Sequence, residues 1–305
     1  MTASTDDVAS RLDRLAILQP GPRTVVPLPG GLTNRNYRVD TPSGRFVVRV
    51  ALPGAGALAI NRDHEYRNSQ LAAEAGIGAP VLEYAPDLGL LVVGYLDGVT
   101  LTDAMVTAPG NLHRIAAACR QLHGGRPFVN HFDMFQVQRR YLAIVLEQGY
   151  RLPAGYLDYA DSVERLRLAV ASRPEPLVPC NNDLLAANFI DDGHKIWLID
   201  YEYSGNNEAC FELGNLAAEC HLDDDQLAEL IRAYFGQPLR HKRARAKLLG
   251  LMGQYGWTLW ASIQHATSSI DFDFWSWGLE KYESAVALFD GPEFERLLTD
   301  LQCND

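Results

Sequence analysis

The spacing of apolar residues changes character along the chain, from alternation near the start to a helical period further on. Val8, Leu12, Leu15 and Ile17 give a rough apolar helix face running to about Leu18. Thr5-Asp6-Asp7 offers a capping residue and acids at its start, and Gln19-Pro20-Gly21-Pro22 ends it. Short β-prone runs follow at Thr24 to Leu28, Tyr37 to Val39, Arg45 to Val50, Ala79 to Tyr84 and Leu88 to Leu96. One helix, Asn61 to Ala75 with Gly76 as C-cap, interrupts them. From Thr24 to Leu96 the pattern therefore predicts strands plus a single helix, the last strand leaving through Val93 to Leu96.

Beyond Leu101 the period becomes helical. Leu112, Ile115, Ala116, Cys119 and Leu122 share one face of a helix that His123 closes. Further helices are predicted over Met134 to Glu147, Ala160 to Ala171, Phe211 to Cys220, Asp223 to Phe235 and Leu239 to Leu251. One stretch breaks this run. Leu177 to Pro179 and Ile196 to Ile199 are strand-like, with the turn Asp191-Asp192-Gly193 between them, and each leads to a carboxylate, Asp183 and Asp200.

Composition narrows the partners. The 305-residue chain has 47% hydrophobic and 21% charged residues, ordinary for a globular protein, and a formal net charge of −11. That charge argues against nucleic acid or an anionic membrane as partner and suits a small cation. The five cysteines are odd in number and lack C-x-x-C spacing, so neither a disulfide framework nor a zinc site is expected. With no signal-like N-terminus and no run of roughly 18 apolar residues, a cytoplasmic protein without stable membrane insertion is expected. Oligomeric state is not legible.

The chemistry lies in three places. Asp183, then Asn188 five residues on, then Asp200 at a strand end, forms the phosphoryl-transfer pattern D-x-x-x-x-N…D. An acid there orients or takes a hydroxyl proton, while the Asn and second Asp offer hard oxygens to Mg²⁺. Arg49, a charge among Val47, Val48 and Val50, is either an exposed strand residue or a cation for phosphates. Glu65 on the following helix is either a solvated charge or its partner. Gly30-Gly31 makes either a plain hairpin or a phosphate cover. Near the C-terminus, Trp257, Trp260, Trp275 and Trp277 cluster beside Asp271 and Asp273. Trp257 and Trp260 share a helix face, which fits either core packing or a cation–π cage for an ammonium group.

These segments together resemble the choline/ethanolamine kinase family, within the aminoglycoside-phosphotransferase and protein-kinase-like superfamily. The resemblance is carried by Gly30 to Tyr37, Phe46 to Val50, Glu65 to Asn68, Asp183 to Asn188, Ile199-Asp200-Tyr201-Glu202-Tyr203, Phe211 to Asn215 and Trp257 through Phe272. It implies an α+β, two-lobed protein-kinase-like fold. Residues 1–96 would form a small antiparallel-sheet lobe with one helix that binds ATP. Residues 97–305 would form a larger, mostly helical lobe for catalysis and acceptor binding.

It also implies roles. Asp183 would be the catalytic base, with Asn188 and Asp200 holding Mg²⁺. Gly30, Gly31, Thr33, Asn34, Asn36, Arg49, Glu65 and Tyr95 would hold ATP. Glu202, Glu219, Trp257, Trp260 and Trp277 would hold the acceptor. The implied activity is phosphorylation of a small amino alcohol, choline first and ethanolamine second. The alternatives are another alcohol, such as thiamine or an aminoglycoside, or a non-catalytic ligand-binding relative. Two positions depart from the family pattern: Asn181 stands where a histidine is usual, and Trp277 where a tyrosine is usual.

Overall fold

The computed structural model describes residues 5–18, 21–52 and 58–304. Helix α1 (Thr5–Leu12) is followed by a separate 3₁₀ turn, Ala16–Leu18, rather than by one helix running to Leu18. The side chains of Thr5 to Asp7, and the breaker residues Gln19 and Pro20, lie outside the described residues. Strands β1 (Thr24–Leu28), β2 (Asn34–Thr41) and β3 (Gly44–Ala51) come next, then helix α2 (Arg62–Glu74), then β4 (Val81–Ala85) and β5 (Leu90–Gly94). The five strands form one antiparallel sheet in the order β1-β2-β3-β5-β4.

Alternation decides what each face of this sheet does. Phe46, Val48 and Val50 of β3 are buried with Val39, Leu90 and Val92 against Val8, Leu12, Leu15 and Leu18. The residues between them, Val47 and Arg49, therefore point to the opposite face. The β2–β3 register sets Asn36 opposite Arg49, so both polar side chains stand together there.

Short strand β6 (Val99–Thr100) and helix α3 (Asp103–Val106) lead into α4 (Asn111–His123), α5 (Met134–Gln148) and α6 (Ala160–Ala171). Then come β7 (Leu177–Cys180), β8 (Phe189–Asp191), β9 (Ile196–Leu198) and β10 (Gly205–Glu208). The chain ends in α7 (Ala209–Glu219), α8 (Asp224–Phe235), α9 (Arg240–Thr267), α10 (Phe274–Asp290) and α11 (Pro292–Leu301). A small antiparallel sheet, with α1 and α2, thus precedes a mostly helical body, and the sheet followed by helices is as expected. Among the described residues no helix is long and apolar enough to cross a membrane.

The middle stretch is built differently from its sequence pattern. The runs before Asp183 and Asp200 belong to different sheets: β7 pairs with β10, while β9 pairs with β8, which also pairs with β6. At three residues β8 is too short to show alternation, and β10 (Gly-Asn-Asn-Glu) has no apolar signal at all.

The C-terminal helix also runs further than its pattern suggests. The 28 residues of α9 join the predicted helix before Leu251 to the tryptophan stretch, through Gly250, Gly253 and Gly256. Those glycines read as weak points because glycine costs helix stability. They are where other elements approach. A Cβ on Gly250 would collide with the Gly214 carbonyl, one on Gly256 with the Met134 sulfur, and one on Gly253 would lie 3.0 Å from Asn215 Oδ1. Backbone contact between α7 and α9 compensates for the lost propensity.

Candidate active site

Two cavities meet at the loop that β7 delivers. The first, about 390 Å³, lies under the sheet and is lined by Gly30, Gly31, Asn36, Val47, Arg49, Val93, Tyr95, Asn188 and Asp200, among others. The second, about 400 Å³, lies among the helices and is lined by Asp103, Glu219, Trp277 and Lys281, among others. Ala187 lines both, with Leu185 and Ala186 on the second and Asn188 on the first, so residues 185–188 form the wall between them, while Asp183, at the start of the loop, lines neither.

That wall is held by buried hydrogen bonds. Glu212 of α7 is fully buried and accepts from the backbone N–H of Asn181 at 3.1 Å and of Asn182 at 2.6 Å. His123, at the end of α4, sits 3.3 Å from the same carboxylate, and its other ring nitrogen meets the Tyr234 hydroxyl at 2.7 Å. This histidine is a brace. Asn181 answers the departure noted above. Its Oδ1 accepts from the Asp183 N–H at 3.1 Å, and its Nδ2 donates to the carbonyls of Ile199 and Asp200 at 3.1 and 2.8 Å. An amide, donor and acceptor at once, thus ties the Asp183 loop to the Asp200 segment.

Asn188 Nδ2 donates to the Asp183 carbonyl at 2.7 Å, which commits the nitrogen and leaves the amide oxygen for another partner. Asp200 sits at φ 65°, a left-handed conformation that costs a non-glycine residue on the order of 1–2 kcal/mol. Strain of that kind is retained where neighbours fix the backbone, and here the Asn181 bond to the Asp200 carbonyl does so.

Across the first cavity, charges form one network. Arg49 Nη2 lies 2.6 Å from Asp200 Oδ1, its Nε 3.3 Å from Glu65, and its Nη2 3.8 Å from Glu202. Arg62 Nη1 lies 2.6 Å from Glu65 and 3.3 Å from Glu202. Glu202 also accepts from Thr33 Oγ1 at 2.6 Å and Asn34 Nδ2 at 2.8 Å. The glycine loop is therefore anchored by Thr33 and Asn34, and by Gln264 of α9, which donates to the Leu32 carbonyl at 2.7 Å.

Burial pulls the Arg49 pKa down, but Asp200, Glu65 and Glu202 outweigh it, and Arg49 stays firmly charged. Burial and then Asp200 push the Glu202 carboxyl up. Asp183 is half-buried, and burial, Asp200, Glu202 and Glu219 push it well above the usual carboxylate range, with Lys281 pulling the other way.

The expected site residues divide accordingly. Gly30, Gly31, Asn36, Arg49, Tyr95, Asn188 and Asp200 share the first cavity, with Thr33, Asn34 and Glu65 directly behind it. The Tyr95 ring packs under Arg45, at 5.1 Å, and its N–H is spent on the Arg45 carbonyl. Among the described residues the N–H of Leu96 has no partner, so the hinge group open to a ligand is the next one along. Asn36 Oδ1 is buried without a partner among the described residues, an orphan at the cavity wall.

Glu202 belongs to the glycine-loop network and does not line the second cavity, because Thr33, Asn34 and Arg62 surround it. Trp257 and Trp260 do not line it either. Both are buried, with ring N–H groups bonded to Asn215 Oδ1 at 2.9 Å and the Tyr203 hydroxyl at 2.7 Å. Their three-residue spacing turns them into the core, and Trp260 supports Trp277 edge-on, with centroids 5.4 Å apart. Glu219 and Trp277 do face the second cavity.

Sequence reasoning missed Arg62, Glu212 and Lys281. The signal for Arg62 was its i,i+3 spacing to Glu65. For Lys281 it was a position one helical turn after Trp277. For Glu212 it was an acid inside the apolar run Ala209–Glu219.

Known proteins resemble this chain in sequence and fold. Residues 25–231 match the choline/ethanolamine kinase family. A choline/ethanolamine kinase family protein from Mesorhizobium loti superposes with a TM-score of 0.84 at 34% identity, over 98% of this chain and 99% of that one. The choline kinase LicA from Streptococcus pneumoniae superposes with a TM-score of 0.79 at 23% identity, over 94% and 99%. The protein LicA of Haemophilus influenzae is 25% identical, covering 86% of this chain and 78% of its own. The fold is thus kinase-like, and the protein is a phosphotransferase with an alcohol as acceptor. The chain belongs to the choline/ethanolamine kinase family.

Proposed function

We propose that the protein transfers the γ-phosphoryl group of ATP, with Mg²⁺, to the hydroxyl of a small amino alcohol, choline or ethanolamine. The observation that carries this reading is the 185–188 segment, just after Asp183, standing between two cavities, with Arg49 and Asp200 on one side and Glu219 and Trp277 on the other. The nucleotide takes the cavity under the sheet and the acceptor takes the helical one. The lobes divide at residue 96, and the acceptor comes entirely from the second.

In this reading Asp183 holds the acceptor hydroxyl and takes its proton as the oxygen attacks phosphorus and the β,γ-bridging oxygen leaves. Burial, and then the carboxylates around it, raise the proton affinity of Asp183, which suits that role. Arg49, kept charged by three acids, faces the phosphates. The Asn188 amide oxygen and the Asp200 carboxylate are hard donors that fit Mg²⁺ and would hold it. When bound, the ion neutralises phosphate charge. Every part of this is positioning and charge placement.

The test is ADP release over choline, ethanolamine, thiamine and aminoglycosides. Turnover with an amino alcohol is expected, and turnover with only another hydroxyl would move the acceptor assignment. The bracing amide gives a second check. Asn181→Ala removes all three of its bonds, and a misplacement of about 1 Å at a reacting group costs on the order of 100-fold. A kcat loss of about that size is expected, with Asn181→His recovering part of it. A fully active Asn181→Ala variant would remove the brace from the mechanism.

A further inference from the structure

We infer that Lys281 is a resident occupant of the ammonium subsite, a tethered cation that an acceptor's ammonium group must displace; this rests on the amino-alcohol reading above. Lys281 lies one turn after Trp277 on α10, so the two side chains share a face. Its Nζ sits 4.1 Å from the centroid of the Trp277 ring. The same atom donates to both Glu219 oxygens, at 2.6 and 2.7 Å. At 8% exposure it is far from the usual solvated lysine.

An aromatic face and a carboxylate around one ammonium are the chemistry a cationic acceptor needs. Here the chain's own ammonium already has both. Glu219 cannot make the same two short bonds to a second cation, and two ammonium groups against one ring repel. An incoming cation therefore exchanges with Lys281, and its apparent affinity is the difference between two cations competing for one subsite. The exchange has somewhere to go. Asp103 and Glu280 line the open side of the cavity, so a displaced ammonium stays among carboxylates.

This makes Lys281 a specificity determinant. It raises the threshold for weak cations, and a group that fills the ring face well, such as a quaternary ammonium, exchanges more readily than a small one.

The test compares the wild type with Lys281→Met, which keeps an unbranched chain of similar length and removes the charge. Tetramethylammonium binding by calorimetry is expected to tighten at least tenfold, and the KM for choline to fall by a similar factor. Lys281→Arg keeps the cation and should show no such gain. Binding to Lys281→Met that is unchanged or weaker overturns the inference, because Lys281 would then serve to hold Glu219 in place. If neither protein releases ADP with choline or ethanolamine, the substrate reading fails, and the tetramethylammonium titration still decides the role of Lys281. Should Lys281→Met not fold, the wild type supplies the answer by NMR. The Lys281 ε-carbon is expected to lose its ring-current shift at saturating tetramethylammonium, and a retained shift excludes the exchange.

Discussion

Asp183→Asn lowers kcat by about 10²- to 10⁴-fold, the range for loss of a positioned general base, and does not lower Tm. The first half follows from geometry. Asp183 opens the loop whose residues 185–188 part the two cavities, and its backbone is pinned by Asn181 and Asn188, so an asparagine there keeps the shape and loses the proton acceptor. The second half follows from charge. Asp183 lies within the field of Asp200, Glu202 and Glu219, with Lys281 as the opposing cation. Removing one member of a crowd of like charges relieves repulsion, a familiar trade between activity and stability. Steady-state kinetics and a thermal melt of the same preparation check both. Near-full activity would end the role of Asp183 as base. A low Tm would show that its carboxylate holds the loop together.

Gly214→Val abolishes folding or costs more than about 4 kcal/mol, the exceptional end of single-site effects. A Cβ on Gly214 would overlap the Ala246 carbonyl and come within 2.9 Å of the Gly250 nitrogen. These are backbone atoms of α9, which cannot turn aside as a side chain can. The helices would have to part, and α7 carries Glu212, the carboxylate that fixes the Asn181-Asn182 backbone. Loss of stability and loss of activity should therefore arrive together. Urea denaturation with activity measured in parallel is the check. A variant that folds with native stability would mean that the helices can separate without cost.

The chemistry of this chain was more legible than its packing. Asp183, Asn188 and Asp200 could be picked out as candidates because five-residue spacing and a strand end survive in one dimension. Arg49 and Glu65 could be read because a cation inside a valine-rich strand and an acid early in a helix invite pairing, and they lie 3.3 Å apart. What could not be read depends on contacts between distant segments. Arg62 and Lys281 look like solvated helix charges until Glu202 and Glu219 are brought to them. Trp257 and Trp260 have a spacing equally suited to a cage or a core, and only the approach of Asn215 and Tyr203 decides for the core. The glycines of α9 lower local helix propensity, and what offsets this is the approach of distant elements such as α7, which propensity does not register.

The placement of α2 has a mechanical consequence. Ala72 on this helix, with the flanking Leu58, Ile60 and Ile77, packs into the large helical core, while β3 belongs to the small core under α1. The same helix also meets the sheet, through the stacked rings of Tyr66 and Tyr84 and the bond from the Tyr84 hydroxyl to Asp63, so Glu65 stands at the junction of the two cores while Arg49 belongs to the sheet. A rocking of the sheet against the helical body would act at this junction. Such a motion must stretch the Arg49–Glu65 pair and the bonds from Thr33 and Asn34 to Glu202. These contacts act as a latch across a seam. If Arg49 faces the phosphates as proposed, tightening these contacts is expected to slow release of the spent nucleotide.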